Sequence, residues 1–139
     1  FLSNNDCELS VEIINDLDSF NDTISQSQWA IANKLLGNLY LEPQDTEKYR
    51  PLEINYDNLR VSFDKGCYRG QEIVARMKYL GVDRRKFCTI ITEKDFKEYK
   101  HIKILGEIEE NEDIHVLNGI IKREVLSELQ NIDGIIDIY

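Results

Sequence analysis

Positive charge is scarce in this sequence. Lys and Arg total 17 against 26 Asp and Glu, a formal net charge of -9 at pH 7. Such a chain is a poor general phosphate binder, because each cation must first overcome long-range repulsion. Cysteine is sparse and odd in number: Cys7, Cys67 and Cys88 show no paired spacing. That excludes a disulfide scaffold, and with only His101 and His115 beside them no zinc pattern forms. Free thiols in a reducing compartment fit best. No apolar run approaches the ~20 residues that span a bilayer, and no basic-then-apolar leader is present, so a soluble domain is expected. Walker and dinucleotide glycine loops, internal repeats and low-complexity tracts are also missing. There is no Met at the start, so Phe1 is expected to begin a piece of something longer.

What is present suffices for a core. With 139 residues, 42% hydrophobic and 31% charged, the chain makes one domain or two very small ones. The charge is uneven: from Arg60 to Lys103 there are 12 basic and 6 acidic residues, a basic island between acidic flanks.

Patterning supplies the elements. Leu9-Ser10-Val11-Glu12-Ile13 alternates like a strand. Ser25-Gln26-Ser27-Gln28 has the form of a capping box. Trp29, Ala32 and Leu36, with Ile31 and Leu35, then recur at helical spacing up to a stop at Gly37, which predicts a helix from about Gln26 to Leu36. Pro43 and Pro51 bracket a loop. Leu59-Arg60-Val61-Ser62-Phe63 alternates like a strand. Ile73, Val74, Met77 and Leu80 form one apolar stripe of a second helix that Gly81 ends. Phe87 to Thr92 predicts a strand, with shorter β-like runs at His101 to Leu105, Ile114 to Leu117 and Ile135 to Ile138. Ile121, Val125 and Leu129 also suit a helix.

The most informative stretch is Lys65-Gly66-Cys67-Tyr68-Arg69-Gly70-Gln71-Glu72. Cys67 sits just ahead of a predicted helix N-terminus, between Lys65 and Arg69. Helix dipole and cations both favour a thiolate. Alternation along an extended segment would put both cations on the sulfur's side. Gly66 and Gly70 would admit a ligand or another backbone. The alternative is a buried structural cysteine in a glycine-containing turn. Gln71 and Glu72, in a first helical turn, suit capping and dipole work. Tyr68 suits half-buried packing with its hydroxyl free to face a site. Cys88, in an apolar strand, reads as core. Trp29 reads as an aromatic anchor of its helix.

The same stretch resembles the K-G-C-Y-x-G-Q-E signature of the YgfZ family, relatives of the glycine-cleavage T-protein that act in iron–sulfur cluster maintenance. All seven specified positions match, and Val61-Ser62-Phe63 and Val74-Ala75-Arg76 are similar to the family's flanks. The resemblance implies an α+β fold. Residues 1–80 would be the end of a T-protein-like folate-binding domain, and residues 81–139 a small β-rich, barrel-like C-terminal domain. It implies a folate-dependent accessory factor in [4Fe–4S] assembly or repair, with Cys67 as the reactive thiolate and Lys65 and Arg69 beside it. Trp29 would stack on tetrahydrofolate or a derivative. No permanently bound metal is expected. Partners would be folate and the iron–sulfur machinery or its clients, in a bacterial cytoplasm or a mitochondrial matrix. Two other readings stand beside this one. Aminomethyl transfer to folate is disfavoured because that chemistry needs no thiol. An RNA-binding, tRNA-modification-related module on the basic island ranks last, having few interleaved aromatics besides Tyr68, Tyr79 and Phe87.

Overall fold

The computed structural model describes residues 2–3, 8–9, 23–81 and 84–139. Two short strands, β1 (Leu2–Ser3) and β2 (Glu8–Leu9), pair antiparallel. Beyond Leu9, the patch expected to be a strand lies outside the described residues, as does Cys7.

Helix α1 runs Gln26–Leu35. The Gln28 N–H donates to Ser25 Oγ at 3.2 Å and the Ser25 N–H to Gln28 Oε1 at 2.8 Å, closing the expected capping box. Gly37 takes the left-handed φ of 64° that turns the chain away. The proline-bracketed loop contains two 3₁₀ turns, Pro43–Asp45 and Pro51–Ile54, each with proline in the first turn where its missing N–H costs nothing.

The strand expected over Leu59–Phe63 does not form. Asn55 (φ 63°) starts a short helix, α2 (Tyr56–Leu59). The Tyr56 carbonyl accepts from both the Arg60 and Val61 N–H groups, at 2.7 and 2.8 Å. Val61 and Phe63 are half-buried between exposed neighbours, but neither lies in a sheet. Phe63 meets Tyr79 edge-on at 6.2 Å, and Lys78 Nζ lies 3.5 Å from its ring centre.

Helix α3 (Gln71–Leu80) ends at Gly81, φ 61°. Of its expected stripe only Val74 and Met77 are buried, while Ile73 and Leu80 are 59% and 68% exposed. The helix rests on the narrow Pro51–Ile54 turn, so one thin face is covered.

Four strands build the remaining sheet: β3 (Arg85–Glu93), β4 (Ile102–Asn111), β5 (Ile114–Lys122) and β6 (Ile135–Ile138), in the order β4-β5-β3-β6, all antiparallel. Ile121 therefore belongs to a strand. Only Val125 and Leu129 are helical, in the 3₁₀ turn Arg123–Val125 and in α4 (Leu126–Leu129).

The expected barrel is not closed: β4 and β6 are opposite edges, and each face is covered by other elements instead. On one face Cys88, Ile90, Leu117 and Ile121 pack with Ile102 and with Leu129 of α4. On the other, Leu105 and Ile120 pack against Leu39 and Ile54, with Phe87, Tyr49 and Tyr56 around them. Fully burying each such aliphatic side chain stabilises by roughly 1.5–3 kcal/mol. The α+β class thus holds, as an antiparallel sheet covered on both sides.

Candidate functional site

The Cys67 loop carries no regular element from Val61 to Tyr68, bends over residues 63–65, and closes in a turn at Arg69–Gly70. Gly70 caps α3 at φ 88°, a conformation costly for any residue with a Cβ, and its carbonyl accepts from the Ile73 and Val74 N–H groups at 3.2 and 3.3 Å. Cys67 is a free, exposed thiol on this loop, three residues ahead of the cap. Lys65 and Arg69 are exposed as well. Lys65 Nζ stands 4.8 Å from the centre of the Tyr68 ring. The Tyr68 hydroxyl is buried with no hydrogen-bond partner among the described residues. Glu72 pairs with Arg76 at 2.8 Å one turn on, and no side chain caps Gly70. Gly66 and Gly70 have open space where a Cβ would stand.

Trp29 lies elsewhere, on the outer face of α1 and 42% exposed. It borders a cleft of about 810 Å³ between α1, the Pro43–Asp45 segment and edge strand β4, and no residue of 65–72 lines that cleft. The far wall comes from a break in the β4–β5 ladder. Register shifts between Leu105 and Glu109, where Gly106 has φ 69° and turns Glu107 and Glu109 onto the cleft.

Its floor is polar and fully engaged. Asn38 Nδ2 donates to Asn33 Oδ1 at 2.7 Å and to Tyr40 Oη at 3.1 Å, while Arg60 donates to Asn38 Oδ1 at 3.0 Å. The Arg60 guanidinium also lies 5.1 Å from the Tyr56 ring centre and 5.7 Å from that of Tyr40. Arg60 thereby links the cleft to the chain segment that leads into the Cys67 loop. Lys34 lines the same cleft; burial pulls its pKa below the ordinary 10.5, against the opposing pull of Glu109 and Glu107.

Cys88 is wholly buried opposite Gly119, and burial raises its thiol pKa. Among the described residues no group of three or more His, Cys, Asp or Glu could hold a metal ion. No described helix is long and apolar enough to cross a membrane.

Known proteins share this arrangement of sequence. Over 89 residues the chain is 34% identical to the tRNA-modifying protein YgfZ of Blochmanniella pennsylvanica, covering 63% of this chain and 26% of that protein. It is 31% identical over 130 residues to the tRNA-modifying protein YgfZ of Buchnera aphidicola subsp. Schizaphis graminum, covering 83% and 39%. The chain belongs to the YgfZ family. It is also 48% identical over 48 residues to the mitochondrial iron-sulfur cluster assembly factor IBA57 homolog of Eremothecium gossypii, 33% of this chain and 10% of that protein. The chain spans well under half the length of these YgfZ-family relatives. No protein-family model matches it, and no solved structure does.

Arg60, Asn38, Asn33, Tyr40 and Lys34 escaped sequence reasoning. Asn33 and Asn38 were legible only as polar residues interrupting an apolar segment, and nothing local points Arg60 at Asn38, 22 residues away.

Proposed function

We propose that this YgfZ-family chain is part of a folate-dependent accessory factor in [4Fe–4S] cluster assembly or repair, with Cys67 as its reactive residue. The observation that carries the reading is an exposed, free thiol on a glycine-shaped loop ahead of a helix N-terminus, inside a full match to the family signature. Such a thiol, flanked by Lys65 and Arg69, is placed to ligate a cluster intermediate transiently or to enter thiol exchange. The iron–sulfur assembly factor among the similar proteins supports the same direction. Trp29 would offer its indole to the flat rings of tetrahydrofolate or a derivative, and its cleft has the volume of a small-molecule site. Residues 1–80 would then be the end of a T-protein-like domain, working in a bacterial cytoplasm or a mitochondrial matrix with iron–sulfur assembly proteins or their clients. A role in tRNA modification is the second reading, favoured by the names of the bacterial relatives.

Timed alkylation of the folded protein, read by peptide mass spectrometry, should label Cys67 rapidly and spare Cys88. Lys65→Gln with Arg69→Gln should slow Cys67 labelling without unfolding. In cells lacking the factor, full-length protein carrying Cys67→Ser should fail to restore [4Fe–4S] enzymes while Cys88→Ala restores them. Titrated tetrahydrofolate should quench Trp29 fluorescence. An inert Cys67, together with full rescue by Cys67→Ser, would make the motif structural and end this reading.

A further inference from the structure

The fold gathers at one end of the sheet cations that are scattered in sequence. β3 begins there with Arg85, directly opposite Lys122 at the end of β5. β4 begins beside them, Ile102 opposite Ile121 and Lys103 opposite Ile120. Two adjoining clefts, about 330 and 510 Å³, share Arg85 and Lys122. Together their walls carry six Lys and Arg side chains, Lys100, Lys103, Arg84 and Arg123 being the others, against a single carboxylate, Glu124. Glu124 sits 3.5 Å from Lys122, and Glu53 reaches Arg85 at 3.4 Å. Like charges set directly across two strands work against the sheet. In a chain of net charge -9, six of the 17 Lys and Arg thus make this edge locally positive.

Two classes of anionic partner could meet such an edge. A protein interface is anchored by apolar or aromatic side chains. Here the apolar residues of the clefts, Ile102, Ile120 and Ile121, are core, and none of the large exposed hydrophobics lines either cleft. No Phe, Tyr or Trp ring lines either cleft, and the His101 imidazole is the single ring there, so the walls offer cations in excess of stacking surface. What remains is charge at strand spacing, which suits a phosphate backbone. We infer that this sheet end is a sequence-independent binding surface for the phosphate backbone of nucleic acid, separate from Cys67 and from the Trp29 cleft.

Fluorescence anisotropy with the full chain tests this, using labelled oligouridine RNA, oligothymidine DNA of equal length, and polyglutamate. RNA and DNA should bind alike, with affinity falling steeply between about 50 and 200 mM salt. Lys100→Glu with Lys103→Glu and Lys122→Glu should weaken binding tenfold or more and flatten the log–log salt slope by about 2. The corresponding triple Gln variant should do the same more mildly, with both checked for unchanged circular dichroism. Lys94→Glu with Lys97→Glu, beyond the other end of β3, should leave binding intact. Absent or salt-insensitive binding, equal loss in the distal variant, or retention in the triple variant would overturn the assignment. A strong preference for RNA over DNA would overturn the backbone-only reading, and polyglutamate binding in its place would assign the edge to an acidic protein. None of these outcomes depends on whether Cys67 is reactive.

Discussion

The tie between α1 and the sheet can be broken in a way whose cost the structure sets. Thr89 and Asn118 are 2% and 1% exposed, buried polar residues facing each other on β3 and β5. Thr89 Oγ1 donates to the Lys34 carbonyl at 2.7 Å. Asn118 Nδ2 donates to the same carbonyl at 3.0 Å and to Thr89 Oγ1 at 2.9 Å. The Gly37 N–H also donates to that carbonyl, at 2.9 Å, so it keeps a partner whatever happens to the other two. Thr89→Val keeps the shape but removes two bonds and leaves one buried Asn118 N–H unpaired, a loss of about 2 kcal/mol. Asn118→Leu likewise removes two bonds, at about 0.5–1.5 kcal/mol each. The two single changes share the Thr89–Asn118 bond, and the double change removes the unpaired N–H altogether. The double variant should therefore cost at least about 1 kcal/mol less than the sum of the singles. Urea titrations at constant slope measure this, and each kcal/mol should lower Tm by roughly 3–5 °C for a chain of this size. Additivity within about 0.3 kcal/mol, or singles that each cost less than about 0.5 kcal/mol, would refute the network as the anchor of α1.

Two further outcomes follow from the core. Burial raises the Cys88 pKa above its ordinary 9.0, so the unfolded chain loses that proton first. Its contribution to stability is full below pH 9.0 and is lost as pH climbs through the raised folded value. Lys34, lowered from 10.5 by burial, acts in the opposite sense: stability rises with pH between its folded value and 10.5. Cys88→Ala should thus decline less than the parent in unfolding free energy between about pH 8 and about pH 10, and equal declines would contradict the burial argument. Gly119→Ala would place a Cβ 2.6 Å from Ile102 Cγ2, directly between β4 and β3, and should cost about 1–3 kcal/mol by urea titration.

Elements whose cause is local were legible in the sequence. Ser25 and Gln28 cap α1 through their own side chains, Gly81 stops α3 with its own φ, and Ile135–Ile138 is a short apolar run that follows a turn at Gly134. Where the cause lies across the chain, periodicity misled. Val61 and Phe63 alternate with exposed neighbours without pairing in a sheet, Phe63 resting against Tyr79 instead. Ile73 and Leu80 share a stripe with Met77 yet stay exposed, because only a 3₁₀ turn lies beneath α3. A barrel could not be told from an open sheet, since closure depends on which edges meet, and β4 and β6 do not.

The candidate site divides along the same line. The Cys67 loop is a contiguous motif, and its glycines, cations and cysteine can all be read in order from the sequence. The Trp29 cleft is assembled from four separated segments, and its far wall exists only because β4 slips register at Gly106. The chain between the two passes through Arg60, which donates to Asn38 and lies beside two tyrosine rings five residues before Lys65. A ligand that shifts Asn38 or Tyr40 therefore disturbs the partners of Arg60, at the start of the chain segment that leads to Cys67. Communication between the cleft and the Cys67 loop thus needs no direct contact between their residues. It needs only that Arg60 keep both sets of partners.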